Sequence, residues 1–185
     1  MRLTFEQRID SCREALTALY HDQSLIEEAI TRISTALTNG CRVFACGNGG
    51  SAAEAMHFAT ELSGRYRSNR NPLPCISLTS DATALTCIGN DFGWENIFSR
   101  QVEAHAGEGD VLVVFTTSGN SPNILSALRS ANRIGVSTIG ILGKDGGDAL
   151  SLCDLPIVVR SNDTGTIQEA HLVMIHIICE QFEPE

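Results

Sequence analysis

The stretch "CRVFACGNGGSAAEAMHFATEL" (41–62) has three textures in turn. "CRVFAC" (41–46) is short, apolar and partly β-branched, the pattern of a buried strand. "GNGGS" is a loop of small residues. "EAMHFATEL" (54–62) has apolar residues at helical spacing, with a helix pattern over about 51–63. Strand, glycine loop and helix in that order make half of a βαβ unit. Ligands of an open parallel sheet bind outside the carboxyl ends of its strands.

Four more apolar runs follow: "PCISL" (74–78), "VLVVF" (111–115), "STIGIL" (137–142) and "LPIVV" (155–159). Helical patterns lie between them at about 80–88, 94–105 and 121–134, and a last one covers about 165–182. Continuous apolar strands alternating with helices argue for a parallel sheet covered on both faces, an α/β fold. Before the first strand, "FEQRIDSCREALTALYHD" (5–22) and "SLIEEAITRISTALTNG" (24–40) repeat apolar residues at three- and four-residue steps. These N-terminal helices have no βαβ role, so they pack on the body or on a second subunit. The 185 residues fit one domain (1–185), with 1–40 as an N-terminal helical segment.

The formal charge is −9, from 13 basic and 22 acidic residues. No Lys/Arg block offers a nucleic-acid footprint, and no basic amphipathic segment offers a membrane surface. No apolar run nears the ~20 residues of a membrane span, and the charged N-terminus has no apolar signal core. Seven scattered cysteines without a C-x-x-C pair argue against a disulfide framework and for a reducing cytoplasm.

A second strand end, "VLVVFTT" (111–117), opens into "SGNSPNI" (118–124). Thr116, Thr117, Ser118 and Ser121 supply hydroxyl donors, and Pro122 suits the first turn of a helix capped by Ser121. With the N–H groups of a helix start, this is a cradle for a phosphate monoester. Neither loop has the spacing of a Walker or dinucleotide motif. Taken singly, each is also an ordinary helix cap.

His57 and Glu61 lie one helical turn apart. They suit a metal, acid–base chemistry or a solvated pair. In "IQEAHLVMIHIICEQF" (167–182), Ile175, Ile177 and Ile178 crowd His176, which needs a polar partner if buried. His171 and His176 diverge by about 140° on a helix, so they do not share one target. Gln168 and His176 differ by about 80° and about 12 Å of rise, so a shared centre demands long reaches or a second chain. In "IGNDFGWENIF" (88–98), Asn90 and Asp91 read either as a turn or as partners for sugar hydroxyls.

Together "CGNGGSAAEAMHFATELSGRYRSNR", "IGNDFGWENIFSRQVEAHAGEGDVL", "TSGNSPNIL", "LGKDGG" and "IQEAHLVMIH" resemble the phosphoheptose isomerases of the sugar isomerase (SIS) domain class. The resemblance covers about residues 40–180. It implies a flavodoxin-like three-layer sandwich around a five-stranded parallel sheet. It implies isomerisation of sedoheptulose 7-phosphate to D-glycero-D-manno-heptose 7-phosphate through an enediol, opening ADP- or GDP-heptose synthesis. It also implies a homotetramer with active sites between subunits and one zinc per subunit.

By motif position, the metal ligands fall on His57, Glu61, Gln168 and His176. Substrate contacts fall on Asn48, Gly49, Gly50, Ser51, Glu61, Asn90, Asp91, Thr116, Thr117, Ser118, Ser121 and Gln168. Glu61 is the base and His176 the acid. Two positions depart from the family. Thr116 stands where serine is usual. Gly165 stands where an aspartate is frequent, with Asp163 and Thr164 as the neighbours that could replace it. The alternatives are a non-catalytic relative that regulates replication initiation, which lacks the counterpart of His176, and a sugar-phosphate sensor.

Overall fold

All five apolar runs become strands of one parallel sheet. The computed structural model describes residues 3–184. The strands are β1 (Val43–Gly47), β2 (Cys75–Ser77), β3 (Val111–Thr116), β4 (Ser137–Gly143) and β5 (Leu155–Val159), in the order β2-β1-β3-β4-β5. Every neighbouring pair is parallel, with Val43 level with Val111 and Val111 level with Ser137. The chain moves from β1 to one side for β2 and to the other for β3, so the sheet has its switch point between β1 and β3.

Side chains alternate between faces, as the pleat requires. Val43, Ala45, Val113, Phe115, Ile139 and Ile141 join one core cluster, and Phe44, Cys46, Leu112, Val114 and Leu142 the other. The first cluster is covered by helices α2 (Gln23–Thr38), α3 (Gly50–Ser63) and α7 (Thr164–Glu180). The second is covered by α5 (Ser99–His105) and α6 (Pro122–Arg133). This is the expected three-layer α/β sandwich.

Helix α1 (Phe5–Ala18) has no buried residue, and it leans on α7, where Arg8 pairs with Asp163. The N-terminal helices therefore have separate fates. α2 buries Ile26, Ala29, Ile33 and Ala36 in the core, whereas α1 forms an outer layer.

Two local expectations need correction. Asn90 and Asp91 lie within helix α4 (Ala82–Phe92), not in a turn. The Asp81 carboxylate caps this helix by accepting from the Thr83 and Ala84 N–H groups. Gly93, at φ 88°, ends it two residues after Asp91. The single helix expected at 94–105 divides into a 3₁₀ turn, Trp94–Asn96, and α5. Ile97 and Phe98 at the junction are consecutive yet both 1% exposed, and the break lets both face the core.

Candidate active site

α3 and α7 each follow a strand of the same parallel sheet, so they run side by side in one direction, and their contacts form rungs. The first rung is Gly50 against Gln168. A Cβ on Gly50 would lie 2.0 Å from Gln168 Nε2, so the missing side chain is what lets this amide rest on the glycine loop. The second rung is Glu54 against His171. His171 is 0% exposed. Its Nε2–H donates to the Leu142 carbonyl at 3.2 Å, and Nδ1 lies 3.4 Å from Glu54 Oε2. The third rung is His57 against His176, ring centroids 5.2 Å apart and nearly perpendicular.

Glu61 completes that third rung: its Oε1 lies 2.8 Å from His57 Nε2. Its side chain is 18% exposed and that of His57 36%, so the pair is neither surface nor core. Tyr66, just past α3, stacks on the outer side of His176 at 5.5 Å. Burial, and behind it the Glu61 carboxylate, push the Cys179 thiol up to about 12. That thiol stays protonated.

His57, Glu61 and His176 suit zinc in donor type. As the side chains stand, no three His, Cys, Asp or Glu among the described residues are spaced to hold an ion. His57 spends its Nε2 on Glu61, and Gln168 sits two turns from His176, at the other end of the ladder.

The hydroxyl loop closes β3. Thr116 is 4% exposed and its Oγ1 accepts from the Gly119 N–H, so it shapes the turn. Ser118 Oγ accepts from the Asn120 N–H. Ser121 occupies the N-cap of α6, but its hydroxyl makes no capping bond, contrary to expectation. Gly119, at φ 65°, has no room for a side chain: a Cβ would lie 1.9 Å from the Gly146 carbonyl oxygen. Asn48 and Asn123 join this loop to the glycine loop. Each side-chain amide donates to the oxygen of the other, at 2.8 and 2.9 Å.

Not every expected residue joins these groups. Asn90 and Asp91 are exposed on α4, where the Asn90 amide donates to the Asp91 carboxylate. Asp163 is already committed, because it caps α7 and pairs with Arg8, which passes over Gly165. Thr164 is exposed at the first turn of α7.

The SIS domain family model matches residues 7–143 of the chain. The phosphoheptose isomerase of Campylobacter concisus is 55% identical over 155 residues, 84% of this chain and 82% of that protein. The chain belongs to the phosphoheptose isomerases. Solved phosphoheptose isomerases have the same fold. The one from Neisseria gonorrhoeae has a TM-score of 0.87 at 38% identity, covering 96% of this chain and 93% of that one. The one from Francisella tularensis has a TM-score of 0.86 at 34% identity, covering 96% and 97%. Membership in this enzyme family displaces the non-catalytic and sensor alternatives.

Three features of this phosphoheptose isomerase escaped the sequence reading. His176 is half-buried between His57 and Tyr66, and the fully buried imidazole is His171. Tyr66 lies beyond the helix and shares no period with it. Asn123, inside the quoted hydroxyl loop, is 0% exposed, and a buried amide needs a polar partner. That requirement was the available signal.

Proposed function

We propose that the protein interconverts sedoheptulose 7-phosphate and D-glycero-D-manno-heptose 7-phosphate, at a site completed by a second copy of the chain. The observation that carries this is a carboxylate bonded to an imidazole that packs against a second one, on a fold whose switch-point loops offer hydroxyls to a phosphate. Aldose–ketose exchange moves a proton between neighbouring carbons while the hydroxyl and carbonyl oxygens trade roles.

Glu61 takes the proton from the carbon beside the carbonyl and returns it to the neighbour, through a cis-enediol. His57 donates to Glu61 and fixes its direction. His176, held by Tyr66, moves protons at the two oxygens. Thr117, Ser118 and Ser121 bind the phosphate, with Thr116 shaping their loop. Asn48, Gly49, Gly50, Ser51 and Gln168 serve the sugar chain, and Asn90 and Asp91, apart from them on α4, reach it from a second copy. Remote phosphate binding orients the reacting end. His57, Glu61 and His176 are the residues that would hold zinc, with Gln168 reaching it from a second copy of the chain. When bound, the ion would polarise the carbonyl and stabilise the enediolate charge.

A single chain separates the two ends. Glu61 stands eleven residues beyond Gly50 on α3, about 16 Å along the axis. A seven-carbon phosphate ester spans about 10 Å when extended, at roughly 1.2 Å per bond. One copy therefore serves the phosphate and another the reacting carbons, consistent with a homotetramer.

The surface for assembly is available. α1, α2 and α7 line an apolar groove of about 980 Å³ that includes Ile9, Leu16, Tyr20, Ile30 and Ile177. Tyr20 in its lining is 79% exposed. A cytoplasmic location agrees with seven free cysteines and with the absence, among the described residues, of a helix long and apolar enough to cross a membrane.

The test is to incubate the protein with sedoheptulose 7-phosphate in D2O, before and after chelation, and follow the sugars by NMR. Proton transfer through an enediol predicts the aldose carrying deuterium at C2, activity lost on chelation and activity restored by zinc. No aldose from any preparation contradicts the function. Full activity in metal-free protein removes the ion from it.

A further inference from the structure

We propose that Asn123 is a positioning residue for sugar-phosphate binding. Through its reciprocal amide pair with Asn48, it sets the spacing between the loop that closes β1 and the loop that closes β3. This rests on the proposed function, in which the second loop holds the phosphate and the first holds the sugar chain.

The two loops leave the sheet at its switch point, from strands that lie side by side. Nothing in either strand fixes how far apart the loops stand above the sheet edge, because the last paired residues are Gly47 and Phe115. The amide pair provides that constraint. Asn48 Nδ2 donates to Asn123 Oδ1 at 2.8 Å, and Asn123 Nδ2 donates back to Asn48 Oδ1 at 2.9 Å. Two bonds between planar groups fix orientation as well as distance, which one bond cannot do. The residues are 75 apart in sequence, so this tie is tertiary.

Asn123 occupies the first turn of α6, two residues after Ser121, and is 0% exposed. It is anchored by the helix, and Asn48 is the half-buried, looser member. Both line a crevice of about 380 Å³ with Gly49, Ser121 and Trp94. The pair thus lies in the wall of the crevice a ligand would enter. Each amide keeps one N–H and one lone pair after pairing, so Asn48 can still meet a hydroxyl.

A spacing role makes a prediction that a general structural role does not. Inorganic phosphate touches only the hydroxyl loop, whereas a sugar phosphate must satisfy both loops together. The experiment measures kcat and KM for sedoheptulose 7-phosphate, Ki for inorganic phosphate and the melting temperature in four variants. These are Asn123→Ala, Asn123→Asp, Asn48→Asp and the double variant Asn48→Ala/Asn123→Ala.

Asn123→Asp keeps the volume but turns a donor into an oxygen facing the Asn48 oxygen. Asn48→Asp breaks the same pair from the half-buried side, so one readable variant remains if changes at Asn123 prevent folding. The expected result is KM raised tenfold or more in each single variant, phosphate Ki within twofold of the parent, and a double variant no worse than Asn123→Ala. Equal rises in KM and Ki, a double variant clearly worse than Asn123→Ala, or an unchanged KM in folded variants overturns the spacing role. A parent protein that leaves the heptulose unconverted overturns the functional reading and this one with it.

Discussion

His171 has two ring nitrogens and both are used, one by the Leu142 carbonyl and one by Glu54. Truncation removes a hydrogen bond from the buried Leu142 carbonyl, takes away the partner of Glu54 and opens a cavity between α7 and β4. His171→Ala is expected to cost about 3 kcal/mol, the range for lost buried hydrogen bonds together with lost core volume. Urea unfolding reads this directly, and an unchanged midpoint would show the pair to be dispensable. The apolar run around His176 could not reveal which of the two histidines is buried. Period alone gives about 140° between them. It does not say which direction is the core, since Ile177 on the same run is 38% exposed. The His57–Glu61 pair was legible because both partners lie on one helix. Tyr66 and Asn123 were not, because their partners come from elements far away in sequence.

At the scale of elements, α1 is tied to the start of α7 by one ion pair. Arg8, and then the N–H of Thr166, draw the Asp163 carboxyl down to about 2 from an ordinary 3.8. A carboxylate whose value is lowered on folding adds stability above its unfolded value and loses it as pH falls toward the folded one. The melting-temperature gap between parent and Arg8→Ala should therefore be present at neutral pH and close between pH 3.8 and about 2. The gap should be small and shrink in salt, because the pair is exposed. A gap constant down to pH 2 would show that α1 docks by its apolar contacts alone. The strand runs were readable because a sheet covered on both faces makes each strand apolar throughout. α4 was harder to delimit: it buries no residue, so only its cap and Gly93 mark its ends.

For the whole molecule, the layered α/β sandwich was legible and the completed site was not. A sequence contains one copy of each residue, and the proposed site draws on both ends of α3, Gly50 and Glu61, about 16 Å apart along the axis. The open groove over α1, α2 and α7 is where a second copy should pack. Tyr20→Glu should shift the assembled protein toward monomer in light scattering and lower activity at least tenfold in parallel. A monomeric variant with full activity would show that one chain suffices. The most direct measurement of the central claim is turnover of sedoheptulose 7-phosphate by the parent and by Glu61→Gln. The parent should form the aldose; the variant, with the same shape but no base, should be slowed by about a hundredfold or more, the usual worth of a positioned acid–base group. Near-parental turnover by folded Glu61→Gln would contradict it.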